Sequence, residues 1–110
     1  MRLEVVFYRE VFGSEPVREW LRSLDRASKK TIGEDIKTVQ FGWPLEMPLV
    51  RSLGSGLWEV RSNLVNMTAR IIFVVGKGKM ILLHGFVKKA RTTPKAELDL
   101  ARKRAAKVSR

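Results

Sequence analysis

His84 is the only histidine in a chain of 110 residues, and it lies in Ile81-Leu82-Leu83-His84-Gly85-Phe86-Val87-Lys88-Lys89, an apolar run closed by two lysines. An imidazole exchanges a proton near neutral pH without assistance. Three more ionisable residues interrupt apolar stretches: Glu59 and Arg61 in Leu57-Trp58-Glu59-Val60-Arg61, and Arg70 in Ala69-Arg70-Ile71-Ile72-Phe73. Cleaving an RNA strand without a metal requires a base for the 2′-hydroxyl, cations on the phosphate and a proton for the leaving oxygen. These four residues supply those types. Arg61 and Arg70 suit a bidentate clamp on the scissile phosphate, a geometry lysine does not match. His84 suits the proton transfer, and Glu59 either accepts a proton or orients an arginine. Lys88, Lys89 and Arg91, beyond the last apolar run, suit the flanking phosphates. A plainer reading stands beside this one: a hydrogen-bonded histidine at a strand end, and a cross-strand ion pair between Glu59 and an arginine.

Strand pairing decides whether the four residues meet. If Gly76-Lys77-Gly78 is a three-residue loop, Val75 pairs with Lys79 and Arg70 falls opposite His84. An even-length loop between Ser62 and Met67 brings Glu59 and Arg61 to the same face, beside Thr68 and Arg70. A two-residue turn at Lys77-Gly78 would send His84 to the other face.

The elements that carry these residues follow from periodicity. Leu3, Val5 and Phe7 alternate with polar neighbours, predicting a first strand that ends near Glu10. Gly13-Ser14-Glu15-Pro16 gives a turn, an N-cap at Ser14 and a first-turn proline; Val17, Trp20, Leu21 and Leu24 then keep helical spacing to about Leu24. Ile32, Ile36 and Val39 predict a second helix, stopped at Gly42-Trp43-Pro44. A short run around Leu49 to Leu53, then 57–62, 68–75 and 79–87, read as strands separated by Gly, Asn and Ser. Thr93-Pro94 predicts an N-cap and N1 proline for a last, basic helix with a thin seam of Pro94, Leu98, Ala101, Ala105 and Val108. The expected fold is α+β, in the order β-α-α-β-β-β-α. Two helices cover one face of a mostly antiparallel sheet, and the other face is open. Trp20 and Trp58 read as core, Trp43 as undecided.

Composition bounds the function. One domain with one core fits this length. Lys plus Arg number 22 against 11 Asp plus Glu. Residues 1–50 hold 8 of each sign, whereas residues 51–110 hold 14 basic and 3 acidic side chains. A compact domain spreads those cations over a small surface, which favours a polyanion, nucleic acid first, or else an acidic protein partner. With no cysteine, disulfides, thiolate zinc sites and cysteine nucleophiles are excluded, and an intracellular, cytoplasmic address is expected. One histidine and no carboxylate cluster at ligand spacing argue against a metal, and nothing calls for a cofactor. No apolar run is long enough to span a membrane. Gly76-Lys77-Gly78 lacks the spacing and the following Ser or Thr of a phosphate-binding loop.

The runs quoted above, with Thr92-Thr93-Pro94 leading into a basic helix, resemble the RelE/HigB toxin superfamily, and its phage-derived, HigB-like members in particular. The resemblance spans almost the whole chain and is most specific at 83–89 and the later Thr-Pro. It implies the toxin of a type II toxin–antitoxin pair: a metal-independent endoribonuclease that cleaves mRNA on the ribosome, silenced by a helix-turn-helix antitoxin in a hetero-oligomer. It implies that Arg70 contacts the scissile phosphate, that Arg61 is a basic position on the preceding strand, and that Lys88 and Lys89 bind phosphate. Founding RelE members carry a tyrosine near the C-terminus as an acid/base group; the one tyrosine here is Tyr8. The fold also includes ParE toxins, which act on gyrase, so a gyrase inhibitor or a non-catalytic RNA- or ribosome-binding module are the alternative readings.

Overall fold

The computed structural model describes residues 2–45, 48–88 and 93–108. Their order is β1 (Glu4–Phe7), α1 (Pro16–Arg22), α2 (Arg26–Gly42), β2 (Val50–Gly54), β3 (Leu57–Leu64), β4 (Met67–Gly76), β5 (Lys79–Lys88) and α3 (Lys95–Ala106). The fold is α+β as expected, and all four runs of the second half are strands, the short run near Leu49 pairing as β2, one strand more than the order β-α-α-β-β-β-α counts. The five strands form one sheet in the order β1-β5-β4-β3-β2. β1 runs parallel to β5, and the other pairs are antiparallel.

Local chemistry explains the helices. Pro16 opens α1, where a missing N–H is harmless. Ahead of it, the Glu19 carboxylate accepts both the Ser14 hydroxyl (2.8 Å) and the Glu15 N–H (3.2 Å), so Ser14 braces the turn while Glu15 is the N-cap. In α2, Ile32, Ile36 and Val39 recur on one side and are all buried. They pack with Val17, Val60, Ile71, Phe73, Met80 and Leu82 into the core beneath α1 and α2. Trp43 joins this core and meets Trp58 edge to face at 5.0 Å.

The opposite face is not open. α3 lies across it, burying Ala101 and Ala105 against Leu57, Ile72, Val74, Ile81, Leu83 and Phe86. A sheet covered on both sides has no wet face, which is why Ile71-Ile72-Phe73-Val74 and Ile81-Leu82-Leu83 are continuously apolar instead of alternating. Each large side chain so buried contributes about 1.5–3 kcal/mol, enough to hold α3 down along its thin seam.

The β4–β5 hairpin closes through two residues, Lys77 and Gly78, both left-handed (φ 54° and 75°), the geometry that matches strand twist. Gly76 therefore pairs with Lys79 and Val75 with Met80, correcting the expected Val75 to Lys79 pairing. That turn alone would put His84 with the α1/α2 face. A bulge reverses it: the register passes from Phe73↔Leu82 to Ile72↔His84, leaving Leu83 as the extra residue. Arg70 consequently sits opposite Phe86, not His84. One residue further along β5, a Cβ on Gly85 would stand 2.4 Å from Trp20 Cε3, so the indole of α1 requires glycine there.

Candidate active site

The β3–β4 turn is even in length, with Leu64 paired to Met67 and Arg61 directly opposite Arg70. Glu59, Arg61, Arg70 and, through the bulge, His84 all belong to the face covered by α3. Packing then divides them into separate groups.

Glu59 and Arg70 form a closed pair. Arg70 Nη1 donates to Glu59 Oε1 at 2.6 Å, and their side chains are 0% and 3% exposed for Glu59 and Arg70 respectively. The second carboxylate oxygen accepts the Thr93 hydroxyl at 2.6 Å. Thr93 is therefore not the N-cap of α3, which is Pro94; it ties the approach to α3 onto the sheet. In this arrangement a phosphate has no access to Arg70, and the plainer reading of a cross-strand ion pair describes Glu59 and Arg70 as they stand. Arg70 Nε is buried without a partner among the described residues.

His84 belongs to a second group. Its Nε2 lies 3.2 Å from Glu97 Oε1 and its Nδ1 lies 3.5 Å from Arg104 Nη1, with the ring stacked on Phe86. A guanidinium only donates. Nδ1 is thus the acceptor, and Nε2 carries the proton given to Glu97. Arg104 is itself fixed: Nη1 donates to the Leu83 carbonyl at 2.8 Å, and Nη2 reaches Glu10 Oε1 at 3.5 Å. That carbonyl belongs to the bulged residue, so one irregularity both turns His84 to this face and presents the anchor of the arginine beside it. The side chains of His84, Arg104 and Glu97 are 14%, 12% and 30% exposed, so this group opens to solvent where β1 ends and leaves β5 uncovered.

Tyr8 borders it. The Arg104 guanidinium lies over its ring at 5.5 Å, and its hydroxyl donates to Glu10 at 3.4 Å. Burial pushes the phenol pKa up, the Glu10 carboxylate adds to the rise, and Arg104 opposes it.

Arg61 is half-buried and, among the described residues, has no side-chain partner. Its N–H donates to the Leu49 carbonyl at 2.9 Å. Lys88 ends β5 opposite Thr68; its side chain, and Lys89 and Arg91, lie outside the described residues. Glu97 and Arg104 escaped the reading of the sequence. A signal for them existed: they stand four residues before and three after Ala101 on the buried side of α3, where a charge implies a partner on the sheet. Among the described residues no three His, Asp or Glu side chains converge as a metal site, and no helix is long and apolar enough to cross a membrane.

The family model of the Gp49-like phage-derived proteins (DUF891) matches residues 19–106, from within α1 to the last residue of α3. The chain belongs to the Gp49-like family. That family is associated with toxin–antitoxin systems. No curated protein matches the chain. The matched span of this Gp49-like chain contains Glu59, Arg70, His84, Glu97 and Arg104.

Proposed function

We propose that this protein is the toxin of a toxin–antitoxin pair, of the RelE/HigB type, and that it is a metal-independent endoribonuclease cutting mRNA on the ribosome. The observation that carries this reading is the Glu97–His84–Arg104 group, an imidazole held between a carboxylate and a guanidinium, partly open to solvent, in the basic half of the chain. Glu97 fixes the tautomer, leaving Nδ1 as the base. The substrate's 2′-hydroxyl displaces the long Arg104 contact from the single lone pair of Nδ1, Nδ1 takes the 2′-hydroxyl proton, the 2′-oxygen bonds to the adjacent phosphorus, and the bond to the 5′-oxygen breaks. That oxygen takes its proton from water at the open mouth. Arg104, beside Nδ1, stabilises the charge that grows on the phosphoryl oxygens.

Glu59 and Arg70 act in this scheme as positioning residues, holding Thr93 and the start of α3 over the sheet. Arg61, Lys88, Lys89 and Arg91 hold the strand and the ribosomal RNA, and the acidic surface of a helix-turn-helix antitoxin is the natural counterpart of the same cations. The cytoplasm, where translation takes place, is the site of action. Mapping mRNA 5′ ends after inducing the chain alone is the test. New ends phased with codons on translated messages support the reading. Intact messages with broken DNA and stalled gyrase would replace it with the gyrase inhibitor, and intact messages on stalled ribosomes with a non-catalytic binder.

A further inference from the structure

The sheet ends on β1, whose one neighbour is β5. Glu4 and Tyr8 give their N–H groups to the Gly78 and Leu82 carbonyls at 2.8 and 2.9 Å, so strand alternation turns the N–H and C=O groups of Val5 and Phe7 the other way. Among the described residues no main-chain group bonds them. The other terminal strand, β2, breaks its register between Ser52 and Gly54. β1 has neither a bulge nor a proline, two of the usual means by which an edge is closed to further pairing.

Beside this edge lies a hollow of about 400 Å³. Val6 and Tyr8 project to the α3 face and Phe7 to the other, yet all three line the hollow, so it opens onto the strand's outer edge. Ile81, Val11 and Val108 make the rest of its lining apolar, and Arg9 and Lys107 are its charged residues. Val11 leads into Phe12, and the two are 87% and 100% exposed. A closed turn holds them out: the Glu10 N–H donates to the Ser14 carbonyl at 2.7 Å, and the Gly13 N–H donates to the Glu10 carbonyl at 2.9 Å. Single exposed apolar residues are ordinary, but two in a fixed turn, continuous with an apolar hollow and an open strand edge, mark a docking surface.

We infer that β1 accepts an added strand from a partner protein, a segment in which apolar side chains alternate with acidic ones. Main-chain bonds to Val5 and Phe7 supply the affinity, and every second side chain of the segment enters the hollow. The side chains between them point to the opposite face, where the Arg18 guanidinium, bonded to Glu15 through Nε, lies over the Phe7 ring at 4.4 Å. Carboxylates there and at the ends of the segment complement Arg18, Arg9 and Lys107. Lys107 has no ion-pair partner among the described residues, and Arg9 has a 3.8 Å contact with Glu15. A second copy of the chain has the wrong charge for this edge, since each copy carries +11. The docking does not depend on the chain being a nuclease.

The test is titration of the full chain, followed by two-dimensional NMR, with a capped synthetic peptide in which valine alternates with glutamate. The amides of Val5, Phe7, Val11 and Val108 are expected to shift. With the peptide at about ten times its Kd, exchange of the Val5 and Phe7 amide hydrogens is expected to slow about tenfold, which contact by side chains alone would not produce. The same peptide with lysine in place of glutamate is expected to bind about tenfold more weakly. Val11→Asp puts a carboxylate into the hollow and is expected to weaken binding about tenfold, with the melting temperature unchanged because Val11 is exposed. No binding, shifts confined to other surfaces, unslowed exchange at Val5 and Phe7, or equal binding of the lysine peptide overturns the inference. A concentration-dependent dimer that shifts these same amides without peptide gives the edge to a second copy instead. Peptide binding by a chain that cuts no message keeps the docking edge and removes the nuclease.

Discussion

Arg70 reaches diagonally across the β3–β4 pair to Glu59 at 2.6 Å beneath α3, and neither side chain is more than 3% exposed. Removing one partner of such a pair strands a charge in a dry interior, which typically costs about 3–5 kcal/mol. Arg70→Ala should therefore lower stability by about that amount, and any lost toxicity will partly be lost fold. Urea unfolding measures it. Replacing both residues by apolar ones of similar size should recover most of the loss, and a single variant as stable as wild type would show that water reaches the pair.

Gly85 should not accept a side chain. A Cβ there meets Trp20 at 2.4 Å, and overpacking of this kind costs about 1–3 kcal/mol. Gly85→Ala should lower the melting temperature, with Trp20→Leu in the same chain restoring part of it.

Tyr8 should make the protein alkali-sensitive. The folded chain holds the phenol proton more tightly than the unfolded chain, whose ordinary value is 10.0. The resulting stabilisation is complete below that pH and is lost as pH rises through the raised folded value. Unfolding midpoints followed into the alkaline range should fall more steeply for wild type than for Tyr8→Phe.

Ribosome association should weaken with salt. Fourteen cations in residues 51–110 imply counterion release, and Lys88→Ala with Lys89→Ala should reduce the slope of log affinity on log salt by about 2 in total. Affinity that does not change with ionic strength would remove the polyanion argument.

Much of this architecture was legible in the sequence because Ile32, Ile36 and Val39, or the glycines and asparagines between strands, act locally. The site was less so. The bulge at Leu83 leaves no mark in residue types, yet it decides where His84 points. The burial of Arg70 depends on α3 crossing a face that looked open, and the continuous apolar runs 71–74 and 81–83 were the sign that both faces are covered. Glu97 and Arg104 were hidden in plain view, since a basic helix reads as a solvated one until its seam is followed through Ala101.

The claim that matters most is that His84 moves the proton. Single-turnover cleavage of mRNA on programmed ribosomes, with wild-type and His84→Ala proteins at saturating concentration, tests it directly. Wild type should cut, and His84→Ala should bind the ribosome equally well but cut about 10²- to 10⁴-fold more slowly, the usual contribution of a positioned acid or base. A His84→Ala protein that cuts at the wild-type rate, or a folded wild-type protein that leaves the message whole, would contradict it.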